Sequence, residues 1–126
     1  MQFVVISILA LIALSGTALA QDVSAGETSF RKCQPCHGIG EGGRSIIGPQ
    51  LNGLDGRKAG TVEKVNYSEA LKNSGMVWGE QAFKDYIKNP AGKVPGTTMM
   101  ISVSNDQEIA DLWAYLKQFG PDGKKK

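Results

Sequence analysis

A chain of 126 residues is one domain by length. Its net charge is +2, and the last three residues, Lys124, Lys125 and Lys126, supply three of the positive charges. The rest of the chain is close to neutral and has no basic strip interleaved with aromatics, which excludes a nucleic-acid surface. Cys33 and Cys36 are the only cysteines and His37 is the only histidine. A closed zinc site needs about four such ligands, so that is excluded as well.

In chain order, Phe3 to Leu14 is an almost unbroken apolar run, followed by small residues ending in Ala18-Leu19-Ala20. This pattern reads as an export signal over residues 1–20, cut before Gln21. The run is short for a membrane span, and polar residues interrupt its second half. The mature chain is then residues 21–126, outside the cytoplasm. Ser24 with Glu27 gives a capping-box pattern, predicting a helix that runs through Phe30 towards Cys33. Residues 38–67 come next, thirty positions with eight glycines and little periodicity. Ile46, Ile47, Leu51 and Leu54 within them call for burial, so the segment is expected to pack on something other than protein. A short helix is predicted from Ser68 to Gly75. A longer one is predicted over Gly79 to Asn89, with Phe83, Tyr86 and Ile87 on one face and Pro90 as its stop. Ser104 with Gln107 caps a last helix, in which Ile109, Leu112, Trp113, Leu116 and Phe119 recur at helical spacing up to Gly120-Pro121. No run alternates as a strand, so the fold class is all-α. Residues 120–126 read as a flexible basic tail.

Cys33-Gln34-Pro35-Cys36-His37 carries the chemistry. A disulfide between residues three apart would close a tiny loop and restrain little. A thioredoxin-like pair would need a βαβ setting, which this pattern lacks. Two thiols about one helical turn apart reach the two vinyl groups on one edge of a porphyrin, and the adjacent imidazole then reaches the iron. The pattern is that of covalent haem attachment. One haem c, held by two thioethers and ligated by His37, also supplies the surface that residues 38–67 need. For the sixth iron position the candidates are Met76, Met99, Met100, a lysine or water. Met99 stands out because Val94-Pro95-Gly96-Thr97-Thr98 before it is a stiff loop able to present a thioether at a fixed point. His/Met ligation favours electron transfer over oxygen chemistry.

Over residues 22 to about 119 the chain resembles the class I cytochromes c, the mitochondrial type and its small bacterial relatives. The resemblance rests on Cys33-x-x-Cys36-His37, Gly48-Pro49-x-Leu51, Arg57, Tyr67-Ser68 and Trp78-Gly79-Glu80. It continues through Tyr86-x-x-Asn89-Pro90, Pro95-Gly96-Thr97-x-Met99 and Leu112-x-Ala114-Tyr115-Leu116. It implies a single-haem fold of three main helices with long loops wrapped on the cofactor. It further implies that the Pro49 carbonyl accepts the Nδ1 proton of His37, and that Arg57, Tyr67 and Trp78 hold a haem propionate. Tyr86 and Thr97 would place hydroxyls near the Met99 sulfur and its loop. Gly26 and Phe30 would form a helix crossing with Leu112 and Tyr115. Two departures stand out: Ala91, Gly92 and Thr98 occupy positions where relatives often carry lysine, and Leu71 replaces an Asn of the mitochondrial branch. Lys32, Lys88 and Lys93 remain as docking charges.

The function implied is a monomeric periplasmic one-electron carrier, not an enzyme. Its expected partners are a quinol-oxidising cytochrome complex, a terminal oxidase, a photosynthetic reaction centre, or a periplasmic dehydrogenase or reductase. Membranes would be met only through those partners. A haem peroxidase or ligand-binding protein with a labile distal Met, or a haem subunit of a dehydrogenase complex, are the alternative readings.

Overall fold

The computed structural model describes residues 19–126, so all but the end of the apolar N-terminal segment lies outside the described residues. Five helices form: α1 (Val23–Phe30), α2 (Glu69–Lys72), α3 (Glu80–Lys88), α4 (Pro90–Lys93) and α5 (Asp106–Leu116). Only isolated antiparallel bridges, such as His37 with Ser45 and Lys58 with Val77, occur among the described residues.

Both α1 and α5 start beside, not at, the serine that the sequence suggests. The α1 cap is Asp22, whose carboxylate accepts from the Ala25 amide at 3.0 Å, and Ser24 is already helical. The α5 cap is Asn105, whose side chain accepts from the Glu108 amide at 2.9 Å. Asp and Asn cap at least as well as Ser, and here tertiary contact decides between neighbours. The Asp22 amide also donates to the buried Asp111 carboxylate of α5 at 2.9 Å, which fixes where α1 begins. Pro90 ends α3 and at the same time opens α4 as its first residue, under an Asn89 side-chain cap. Proline fits that position because its missing N–H would be unpaired there anyway.

The core forms where α1 crosses α5. Gly26 lies so close to α5 that a Cβ there would overlap the Asp111 carbonyl and sit 2.9 Å from the Tyr115 Cβ. Phe30 packs on Tyr115 at 5.6 Å between ring centroids, and Tyr115 on Phe119 at 5.3 Å. α3 joins through Phe83 on Trp113, at 5.3 Å. Phe30, Leu112 and Leu116 are the most completely buried large side chains, each contributing about 2 kcal/mol of transfer free energy.

Residues 120–126, read from sequence as a flexible tail, are folded back. The Gly120 amide donates to Lys124 O at 2.8 Å and the Lys126 amide to Gln118 O at 2.8 Å. The Lys125 ammonium lies 5.9 Å from the Phe119 ring centroid. Gly123, at φ 82°, packs against Gly40 so tightly that a side chain would strike its backbone. The chain end thereby rests on the loop after His37.

Gly26→Ala should cost about 3 kcal/mol, because the clash is with α5 backbone that cannot rotate away. Guanidinium unfolding of the haem-loaded protein monitored by circular dichroism measures this. A loss under about 1 kcal/mol would mean the crossing yields.

Candidate functional site

After Phe30 the backbone goes on in tight turns that set the Cys-x-x-Cys-His segment. The Cys33 amide donates to Phe30 O at 2.8 Å and the His37 amide to Cys33 O at 2.9 Å. Cys33 and Cys36 are half-buried on the wall of one cavity.

That cavity, about 340 Å³, is lined mostly by apolar groups, among them Leu51, Leu54, Leu71, Phe83, Leu112 and Leu116. His37, Pro49, Arg57, Tyr67, Trp78, Tyr86, Thr97 and Met99 all line it as well. The sequence-derived candidates therefore share one site.

His37 is held from two sides. Its Nδ1 donates to the Pro49 carbonyl at 2.6 Å. Its ring also lies against Gly48, where a Cβ would come within 2.9 Å of Nδ1 and overlap Cε1. Burial lowers the imidazole pKa, the Pro49 bond raises it, and the nearby Arg57 cation lowers it further; the net direction is down. The ring is thus neutral, with its proton on Nδ1 and its Nε2 lone pair available.

The loop that carries Pro49 is braced throughout. Gly48 N donates to Cys36 O at 2.9 Å, and Gln50 N to Ser45 Oγ at 2.8 Å. The buried Asn52 side chain clasps Gly40 in both directions, accepting from its amide at 2.8 Å and donating to its carbonyl at 2.9 Å. Sequence reasoning named neither Ser45 nor Asn52. Their contacts join irregular segments, and no periodicity marks them.

Arg57 Nη1 donates to Gln50 O at 2.8 Å and to Asn52 O at 3.1 Å. Burial depresses its pKa, and no carboxylate forms an ion pair with it among the described residues. A half-buried guanidinium without a counter-charge suits an anionic group bound beside it. The Tyr67 hydroxyl accepts from Val62 N at 3.1 Å, which leaves its own O–H to donate. Trp78 is held by its backbone, donating to Arg57 O at 2.8 Å, while its indole lines the cavity and packs on Tyr86 at 5.1 Å.

The Tyr86 hydroxyl of α3 and Thr97 Oγ1 of the loop after α4 lie 2.7 Å apart, and the Met99 amide donates to that Thr97 oxygen at 3.4 Å. Burial pushes the Tyr86 phenol up, so it keeps its proton. Gly96 supplies the positive φ of 93° that the turn requires. Met99 is half-buried in the cavity wall, Met100 is 88% exposed at its rim, and Met76 packs on the core elsewhere. Two thiols, an imidazole, a thioether, an apolar slot and an unneutralised guanidinium together fit a covalently held haem with acidic side chains.

The cytochrome c family model matches residues 23–120. A cytochrome c2 of Rhodoplanes tepidamans is 60% identical over 107 residues, covering 84% of this chain and all of that protein. A cytochrome c2 of Blastochloris viridis is 46% identical with both chains covered in full. The solved structure of cytochrome c2 from Rhodospirillum centenum superposes with a TM-score of 0.76 at 31% identity, covering 79% of this chain and 99% of that one. With this breadth of match over the segment that builds the cavity, the chain belongs to the cytochrome c family: it is a one-electron carrier built around a single covalently attached haem c.

Proposed function

We propose that this carrier works in the periplasm with its haem held by thioethers at Cys33 and Cys36 and its iron bound by His37 Nε2 and the Met99 sulfur. The carrying observation is the convergence of these four side chains on one apolar cavity. When bound, the haem supplies one reversible electron at its iron. The chain's own work is orientation and exclusion. The Pro49 carbonyl fixes the tautomer of His37 and strengthens its donation. Arg57, Tyr67 and Trp78 hold a propionate, and the Arg57 charge is what makes its burial tolerable. The Tyr86–Thr97 pair steadies the loop of Met99, so the sulfur stays in place and exogenous ligands stay out. This closure supports a carrier that catalyses no reaction by itself.

The partners are redox proteins, such as a quinol-oxidising cytochrome complex or a terminal oxidase, met through the exposed rim of the cavity. Each sequence-named docking lysine is paired: Lys32 with Glu108, Lys88 with Asp106 at 2.7 Å, and Lys93 with Asp85 at 4.0 Å. Exposed pairs contribute about 0–1 kcal/mol each, yet they cancel the field a partner would feel. The rim itself presents Ile47, Met100 and Ile101, all exposed. Apolar contact therefore dominates affinity, and charge adds modest steering.

Four measurements test this reading. Denatured protein should retain haem through acid-acetone extraction. The ferric protein should show the weak long-wavelength sulfur-to-iron band, lost in Met99→Ala and kept in Met100→Leu and Met76→Leu. Loss in Met100→Leu instead would reassign the ligand. Gly48→Ala should displace the His37 ring and lower the melting temperature of the haem-loaded protein by about 5 °C or more. An unchanged temperature would show that the ring is not confined there. The second-order rate with a quinol-oxidising membrane complex should fall only a few-fold between low and physiological salt, where screening acts beyond about 8 Å. Ile47→Asp should slow it more than Lys93→Glu; the opposite order would make charge the docking determinant.

A further inference from the structure

We propose that the folded-back chain end is a positioning element for His37. Pro121 and Gly123 close Gly53 and Gly40 over Asn52, and through Asn52 they keep the Pro49 carbonyl on the imidazole. The inference rests on the proposed ligation by His37 and adds to it residues that do not line the cavity.

The chain end meets the proximal loop at two places. Gly123, at φ 82°, lies against the Gly40 carbonyl and the Glu41 amide, where a Cβ would strike backbone. Pro121 lies against Gly53, at φ 62°, where a Cβ would come within 2.9 Å of the Pro121 Cα. The Gly53 amide also donates to Phe119 O at 3.0 Å. Gly40 and Gly53 are the two neighbours of Asn52 in this loop: the first exchanges hydrogen bonds with its side chain at 2.8 and 2.9 Å, and the second follows it in the chain. The end segment is itself a built turn. Its Gly123 amide donates to Gly120 O at 2.9 Å, its Lys124 amide to Asp122 Oδ1 at 2.9 Å, and its Lys126 amide back to Gln118 O at 2.8 Å.

From Asn52 the path to the imidazole is short. The Asn52 amide donates to Gln50 Oε1 at 2.7 Å, and Arg57 Nη1 bonds the carbonyls of both residues. The Gln50 nitrogen and the Pro49 carbonyl belong to one planar peptide unit. Whatever holds Gln50 therefore aims that carbonyl at His37 Nδ1, 2.6 Å away. Asn52 is only 8% exposed, so its clasp on Gly40 is shielded from competing water and is the stronger for it. With the chain end lifted, water reaches the clasp and the loop is free to drift. A longer Nδ1–O bond makes the imidazole a weaker donor. Ferric iron carries one more positive charge than ferrous and loses more from that, so the reduction potential rises.

The test uses haem-loaded protein, with two readouts: the reduction potential, and exchange of the His37 Nδ1 proton with heavy water followed by NMR. A chain ending at Gly120 and the full-length Gly123→Val should each raise the potential. Both should speed the exchange about fivefold or more, the factor that weakening one hydrogen bond produces. Lys124→Met removes only the exposed 4.0 Å pair with Glu41 and should change neither readout. Ile109→Ala, in the core but off the cavity, should lower the melting temperature and leave the potential unchanged. Asn52→Ala should raise the potential with the chain end in place, and truncation in that background should add little more. Wild-type potential and exchange in the truncated chain would overturn the proposal, as would a rise in Ile109→Ala equal to that of the truncation. Fully additive shifts from Asn52→Ala and the truncation would overturn the route through Asn52. A wild-type protein whose His37 Nδ1 proton is not among the resonances displaced by the haem iron would overturn the ligation by His37, and the proposal with it.

Discussion

The hydrogen bond from His37 Nδ1 to the Pro49 carbonyl is the constraint on which most of the irregular structure depends. A histidine that must present one nitrogen at a fixed angle needs its other nitrogen tied, and the tie must not drift. Pro49 sits in a long glycine-rich loop, where nothing local fixes a carbonyl. The surrounding contacts do so instead: Gly48 presses on the ring, Ser45 takes the Gln50 amide, and Asn52 locks the loop to Gly40. Arg57 closes this side by bonding the carbonyls of Gln50 and Asn52. The half-buried guanidinium with no carboxylate partner among the described residues is thus the same one that braces the loop carrying Pro49. Charge at one edge of the cavity and orientation of the imidazole are coupled through a few hydrogen bonds.

The α1–α5 crossing provides the rigid frame for that arrangement. Gly26 lets the two backbones touch, and Phe30 fills the space beside Tyr115. The cysteine turns begin at the Phe30 carbonyl, so the position of α1 decides where both thiols lie. α5 supplies Leu112 and Leu116 to the cavity wall from the other member of the pair. The folded-back chain end adds a second brace, because Gly123 rests on Gly40, the residue that Asn52 clasps. A short sequence with few regular elements thereby holds its attachment turn and its proximal loop in one frame.

The surface near the cavity obeys a different logic. Lys32, Lys88 and Lys93 are matched by acids, while the exposed side chains of Ile47, Met100 and Ile101 lie at the rim. A carrier must bind each partner briefly and release it. Weak apolar contact with little long-range steering suits several partners better than a strong charge pattern that fits one.

Much of this was legible in the sequence, and the divide between what was and what was not is physical. The helical segments were readable because periodicity, caps and stops act within a few residues. The Cys33–His37 pattern was readable because its chemistry depends on spacing along one turn. The loop after Pro95 could be singled out for Met99 because proline and glycine restrict the backbone where they stand. Tertiary structure decided the rest. Asp22 took the cap from Ser24 because Asp111, 89 residues away, receives its amide. Pro90 proved to be a start as well as a stop, since the Asn89 side chain caps the turn that Pro90 opens. The basic tail lies on the Gly40 loop through backbone contacts that no composition encodes, and Lys32, Lys88 and Lys93 found acids that the linear charge pattern does not pair. Local rules named the parts; contacts between distant segments, each worth little alone, determined which part each one meets.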